Sequence, residues 1–425
     1  VTRLTSKHYE KASQAALALD AAARPLRILR SVSWETKVKT DFLVNNRLPK
    51  PVYSPIETSE ARRQIAHAKT LIKGENVIFA WLRRLAGTLD RTAALIDSRN
   101  TPEFFKHSVA LFGQPHQFML DKKTRVIDLA YHLDDALDGL DFLRLVNDRA
   151  PQPLTATQFA KLLRPRLRLF FGEARPSVKI SSDLSANAVA GAKRIRVRKG
   201  AKFTRRDVDQ LLQHEAFIHT ATALNGRAQA EYPILGRAHA GTTQIQEGLA
   251  VFAEMISGAM DPDRFQRLSD RVIAIQKSID GADFKDIFDF YMERLDDPDQ
   301  AFENSRRIFR GGVMSGGAPF TKDGVYLNGL LRVHNFIRTI VKLGRADLIR
   351  TLFVGKMDIE DVPALAQLAH DGHIAPARFL PPWVDDLRFL VSYMAYSSFL
   401  NQVELPGFQD YYKDALTDVP VIWDF

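Results

Sequence analysis

One helix in this chain carries ionisable groups where apolar ones are expected, and that constrains the fold more than any other feature. Thr204 with Asp207 three residues later has capping-box spacing and marks a helix start. Val208, Leu211 and Leu212 then set a buried stripe at helical period. The next positions on that stripe are Glu215, His219 and Thr222. Burying such groups costs several kcal/mol unless they are paired or bind a metal. The fold must therefore bring partners to this face, and a polar site is expected there.

His214-Glu215-Ala216-Phe217-Ile218-His219 is the core of that site. It is one residue longer than the H-E-x-x-H pattern of zinc hydrolases. On a regular helix, histidines five residues apart point about 140° away from each other. A π-bulge widens the turn and brings them into line, so a bulge is expected between His214 and His219. A loop with Pro233, Gly236 and Gly241 leads to a second helix, which Thr243 and Gln246 would cap and whose first turn would hold Glu247. His214, His219 and Glu247 then form a His2Glu ligand set for one zinc ion per chain, with a fourth position open for water. Glu215 stays off the metal and serves as general base toward the activated water. Glu254, seven residues beyond Glu247, is a candidate acceptor for a ligand imidazole, against an ordinary salt bridge.

The 425 residues contain no cysteine, which excludes disulfides, thiol catalysis and cysteine-ligated metals. Apolar residues at 45% and charged residues at 26% fit a globular protein and exclude a disordered one. No apolar run approaches the ~20 residues of a membrane span, and Ala15–Leu19 is too short for a signal peptide. A cytoplasmic protein is expected. The formal charge of +9 favours anionic partners weakly, and no nucleic-acid-binding module is present.

Residues 1–150 read as mostly helical, with Leu82, Leu85, Leu89, Ala93 and Ile96 forming one stripe. A boundary is placed near Pro151–Pro153, and residues 151–425 are read as the catalytic domain. Val178–Ile180 is a strand candidate. Arg194-Ile195-Arg196-Val197-Arg198 alternates with period two, as a half-buried strand does, and its outward arginines suggest a sheet edge. The fold class expected is α+β and predominantly helical. It has a zincin-like core, a small mixed sheet whose edge strand precedes the motif helix, and helical regions at both ends.

The combination resembles one known family. The stretches that carry it are His214-Glu215-x-x-x-His219, Thr222, Asn225-Gly226-Arg227-Ala228-Gln229 and Gln246-Glu247-Gly248-Leu249-Ala250. Pro319 to Leu327 and Gly355-Lys356-Met357 extend it. These are similar to the metallopeptidases that include the microtubule-associated tyrosine carboxypeptidases. The bacterial members are named for the QEGLA motif and described as modulating flavohaemoglobin expression. The resemblance implies zinc held by His214, His219 and Glu247, with Glu215 catalytic. It also implies a peptide or protein substrate, for which an acidic C-terminus is one option. Tyr326, in a glycine-rich segment that could fold over the site, is a candidate oxyanion donor. Lys322, Arg227 and the strand residues Arg194, Arg196 and Arg198 are candidates for gripping a terminal carboxylate. The competing reading is a regulatory zinc protein without turnover, against which the intact Glu215 speaks. His370 and His373 are read as a loop after a helix, His334 as a core residue, and His239 is given no role.

Overall fold

The computed structural model describes residues 4–138, 153–182, 184, 187–295 and 297–400. The break expected at Pro151–Pro153 falls largely outside them. So does the end of the C-terminal region, beyond residue 400.

Most of the chain is helical. The helix Ser6–Ala23 buries Ala12, Ala15, Ala16, Leu19 and Ala22, small side chains that let other helices approach closely. It packs on Ser59–Leu71 and Val77–Asp97. Asn76 caps the latter, its side chain accepting from Phe79 N at 2.8 Å. Leu82, Leu85, Leu89, Ala93 and Ile96 are all buried, as their period requires. The Pro49–Pro55 stretch forms no helix or strand and links Thr36–Asn45 to Ser59–Leu71.

Two apolar clusters organise the interior. The larger joins the N-terminal helices to residues from Ile218 to Met394. The smaller is built from the helix Ala156–Phe171, the sheet and part of the motif helix. Ala216 and Phe217 belong to the smaller cluster and Ile218 to the larger. The motif helix is therefore the seam between two cores.

The sheet has three strands, β1 (Ser177–Ser181), β2 (Ala188–Gly191) and β3 (Arg194–Arg198). Their order is β1-β3-β2, with β1 parallel and β2 antiparallel to β3. The strand that precedes the motif helix is thus the central one, which corrects the expected edge position. The physical reason is that side chains leave a strand through its faces, not its edges. The arginines of β3 report one solvated face and carry no information on whether its edges are paired. Ile195 and Val197 do face the smaller core. The edges belong to β1 and β2, and the Ala-Val-Ala-Gly of β2 has little β-propensity and no clear pattern in sequence.

Candidate active site

The motif helix begins as expected. Asp207 N donates to Thr204 Oγ1 at 3.1 Å, and Asp207 accepts from Thr204 N at 2.6 Å. It is α-helical over Arg205–Leu211, π-helical over Leu212–Thr220 and α-helical again over Ala221–Arg227. The π-helix spans both histidines. Residues five apart then lie on one face, and the two imidazoles meet with ring centroids 4.9 Å apart at 81°. Thr220 supports the widened turn by donating to Glu215 O at 3.0 Å.

The second helix, Ala240–Ile256, starts earlier than Thr243 suggested, with His239 at its N-cap. Glu247 therefore lies well inside the helix, not in its first turn. Gly248 explains why this helix can stand where it does. A Cβ there would lie 2.1 Å from the backbone carbon of Gly329, on the helix Val325–Lys342. The glycine pair permits the two backbones to cross in contact, and this sets Glu247 against the motif helix.

Glu247 Oε2 lies 3.5 Å from His214 Nε2 and 3.5 Å from His219 Nε2. Among the described residues, these three side chains can offer a metal ion one atom each, all within 4.8 Å of one another. An ion bonded tetrahedrally at about 2.0–2.1 Å would hold its donors roughly 3.4 Å apart, so the set fits zinc. The other nitrogen of His214, Nδ1, donates to Glu254 Oε1 at 2.6 Å, which leaves Nε2 for the metal. Glu254 is fully buried and also takes Arg264 through Nε at 2.9 Å and a terminal nitrogen at 3.1 Å. Burial pushes its carboxyl up, but Arg264 and His214 outweigh that and hold it far below the usual range. Burial alone would lower His214, yet its two carboxylate partners raise it to about 10. Desolvation likewise opposes the ionised Glu247, and Lys322 with the two imidazoles keeps it well below a normal glutamate.

Glu215 is buried beside His214, and its Oε2 accepts from Ala190 N on β2 at 2.8 Å. β2, the strand the sequence did not reveal, thus orients the proposed base. Lys322 is 7% exposed, with Nζ 3.6 Å from Glu247 Oε1 and 3.7 Å from Asp323 Oδ1. It sits in the turn Thr321–Gly324 that opens the helix Val325–Lys342, so the expected cover over the site is a buried turn and first helical turn. Tyr326 lies there too. Its hydroxyl accepts from Arg307 at 3.3 Å, and its ring lies 5.2 Å from Lys322 Nζ.

The other candidates are placed elsewhere. Arg227 is exposed at the end of the motif helix, in a cleft with Asp20, Arg24 and Arg237. Arg194, Arg196 and Arg198 lie on the sheet face opposite Ile195 and Val197, turned from the core that holds Ala216 and Phe217. Arg198 donates to Asn187 Oδ1 at 2.8 Å. His373 pairs with Glu231 at 3.0 Å and stacks on Tyr9, a contact to the N-terminal helix. His334 is partly buried near Phe252.

Three further cations around the candidate site have no role assigned from sequence, although Lys356 lies in one of the stretches that carry the resemblance. Lys356 donates to Gln246 Oε1 at 2.8 Å and approaches Thr222 Oγ1 at 3.4 Å, and burial lowers its pKa to about 8. Gly355 lets it in, because a Cβ there would meet Leu235 at 2.6 Å. Arg264 and Arg271 share the face of the helix Pro262–Ile279 that buries Leu268, Val272 and Ile275. Ionisable groups on an apolar stripe were the available signal, the same one that marks Glu215 and His219. Asn225 and Gln229 are clamps: Asn225 donates to Phe353 O and Phe379 O, and Gln229 to Ala375 O.

A family model described as microtubule-associated tyrosine carboxypeptidase matches residues 42–402. No curated protein matches the chain at a significant level. With so much of its length covered, the chain belongs to the microtubule-associated tyrosine carboxypeptidase family.

Proposed function

We propose that this protein is a zinc-dependent peptidase of carboxypeptidase type, acting on the C-termini of peptides or proteins. The observation that carries the reading is the convergence of His214 Nε2, His219 Nε2 and Glu247 Oε2, with Glu215 next to them in the chain. His214, His219 and Glu247 would hold the ion, and Glu254 would fix the tautomer and orientation of His214. When bound, zinc supplies Lewis acidity toward a carbonyl oxygen and toward water.

The chain's own groups do the rest. Glu215 accepts a proton from the attacking water and returns it to the leaving amine. Its Oε2 is held by the Ala190 N–H, which leaves Oε1 for that proton. The carboxylate therefore does not need to be reoriented for each turnover. Lys322, in contact range of Glu247, places a fixed cation beside the reacting carbonyl and opposes the negative charge that develops there. Tyr326 lies with its ring 5.2 Å from Lys322 Nζ, and its hydroxyl accepts from Arg307, which leaves its own O–H free to donate to the oxyanion.

The test compares the parent with Glu215→Gln. Both should hold about one zinc per chain, since Glu215 is not a ligand. A peptide library digested by the parent should lose single residues from its C-termini, as read by mass spectrometry. Glu215→Gln should be slower by at least ~10^2-fold, the usual contribution of a general base. Equal rates for the two proteins would refute the mechanism.

A further inference from the structure

We propose that Arg271 is the residue that binds the terminal carboxylate of the substrate. The assignment deepens the peptidase reading and rests on it. A carboxypeptidase needs a cation one residue beyond the scissile bond, a step of roughly 3.3–3.6 Å along the chain. The ring of Tyr326 connects such a cation to the proposed ligand set through Lys322. Lys322, which touches Glu247, lies over it at 5.2 Å. Arg271 lies over it at 4.5 Å.

Three buried or partly buried cations lie over this ring, Arg264 is close enough to feel it, and all but Arg271 are already satisfied. Arg264 is paired with Glu254, Arg307 with Asp323, and Lys322 lies between Glu247 and Asp323. The neighbouring groups, Glu254 for Arg264, Asp323 with Tyr326 for Arg307, and Tyr326 with Glu247 and Asp323 for Lys322, in each case outweigh burial and raise the pKa. Arg271 has no ion pair with a carboxylate among the described residues. One of its terminal nitrogens is shielded from solvent and makes no hydrogen bond. Burial, with Arg307 next to it, lowers its pKa to about 10. A guanidinium in that state lacks a counter-ion, and a carboxylate fits it through two parallel hydrogen bonds. Arg310 also has an unpartnered nitrogen, but its aromatic neighbour is Phe320, and it adjoins Tyr53 in the N-terminal part of the core.

The experiment uses zinc-loaded full-length protein and a pool of random hexapeptides, made with a free C-terminal acid and, separately, with a C-terminal amide. Depletion of each form is followed by mass spectrometry for the parent, Arg271→Gln and Arg271→Lys. The parent should prefer acids strongly. Arg271→Gln should lose about 100-fold in kcat/KM on acids, mostly through KM, with little change on amides. Arg271→Lys should recover part of the loss, because it keeps the charge and loses the fork. Zinc content and melting temperature establish that each variant is folded.

If the parent favours acids and Arg271→Gln keeps that ratio, the assignment is wrong while the peptidase reading stands. The assignment fails in the same way if the parent cleaves acids and amides alike, or if Arg271→Gln loses only a preference for acidic side chains. If the parent cleaves nothing, the peptidase reading fails. Affinity selection of the pool on Glu215→Gln, with and without Arg271→Gln, then decides the binding role. Enrichment of acids that disappears with Arg271→Gln supports the assignment, and its absence refutes it.

Discussion

Glu254 is bonded to His214 on one side and to Arg264 on the other, so its charge can be removed without changing its shape. In Glu254→Gln the amide still reaches Nδ1 but no longer favours the proton there, and Arg264 loses its counter-ion. The orientation of His214 weakens, and so does its basicity as a ligand. Metal affinity should fall by about 10–100-fold, the usual loss when the partner of a ligating histidine is removed. A chelator-competition titration measures this, and an unchanged affinity would show that Glu254 serves Arg264 and Gln210 and not the imidazole. At this scale much of the site was legible. Glu215 and His219 stand out because helical periodicity makes a buried ionisable group conspicuous, His214 and Glu247 stand out through the motifs, and Glu254 through its seven-residue spacing from Glu247. Arg271 and Lys356 do not. The first needs the same test on a helix with no recognisable motif, and the second acts through Gln246 and Thr222 across more than a hundred residues of chain.

Among the elements, the crossing of Ala240–Ile256 and Val325–Lys342 does most to place Glu247. The two helices touch backbone to backbone at Gly248 and Gly329, where a Cβ on either residue would lie within 2.2 Å of its neighbour. A methyl group at Gly248 cannot be accommodated by rotating a side chain, since the obstacle is main chain. Gly248→Ala should push the helices apart and cost at least about 1–3 kcal/mol, as overpacking does. It should also carry Glu247 out of reach of the histidines and lower the zinc content. The Gly in the QEGLA motif is thus explained by packing, and the Glu beside it by the proposed metal site. Thermal unfolding and metal analysis of the variant test both halves. A variant with full zinc and the parent's melting temperature would mean that the crossing has room for a methyl group after all. The sheet was harder to read than the helices. β3 stood out by its alternation, whereas β2 is four small residues whose strand character comes from pairing with β3 and not from composition.

The whole molecule joins two cores at the motif helix, and the order of the chain gives no hint of this. Helices from the first third pack into one interior with residues beyond Ile218, and the segment from Leu154 to Ala221 builds the other. Such contacts are set by shape and burial across long separations, so local pattern does not reveal them. Asp20, on the first long helix, shows how far the connection runs. It accepts from Arg237 at 2.7 Å, just ahead of the helix that carries Glu247. The seam has a consequence for stability. His214 and His219 lie on the helix shared by both cores, and Glu247 lies on a helix of the larger one. A metal bound by all three cross-links them, and it binds the folded chain far better than the unfolded one. At a free metal concentration about 1,000 times the dissociation constant, this linkage amounts to about 4 kcal/mol. Removing zinc with a chelator should therefore lower the melting temperature by several degrees, and adding it back should restore the loss. Glu215→Gln should show the same shift as the parent, because it leaves the ligands intact. His219→Ala should melt near the metal-free parent and respond little to added zinc. If chelation leaves the parent's melting temperature unchanged while His219→Ala lowers it, the histidine stabilises the seam by packing, and the three side chains do not form a metal site.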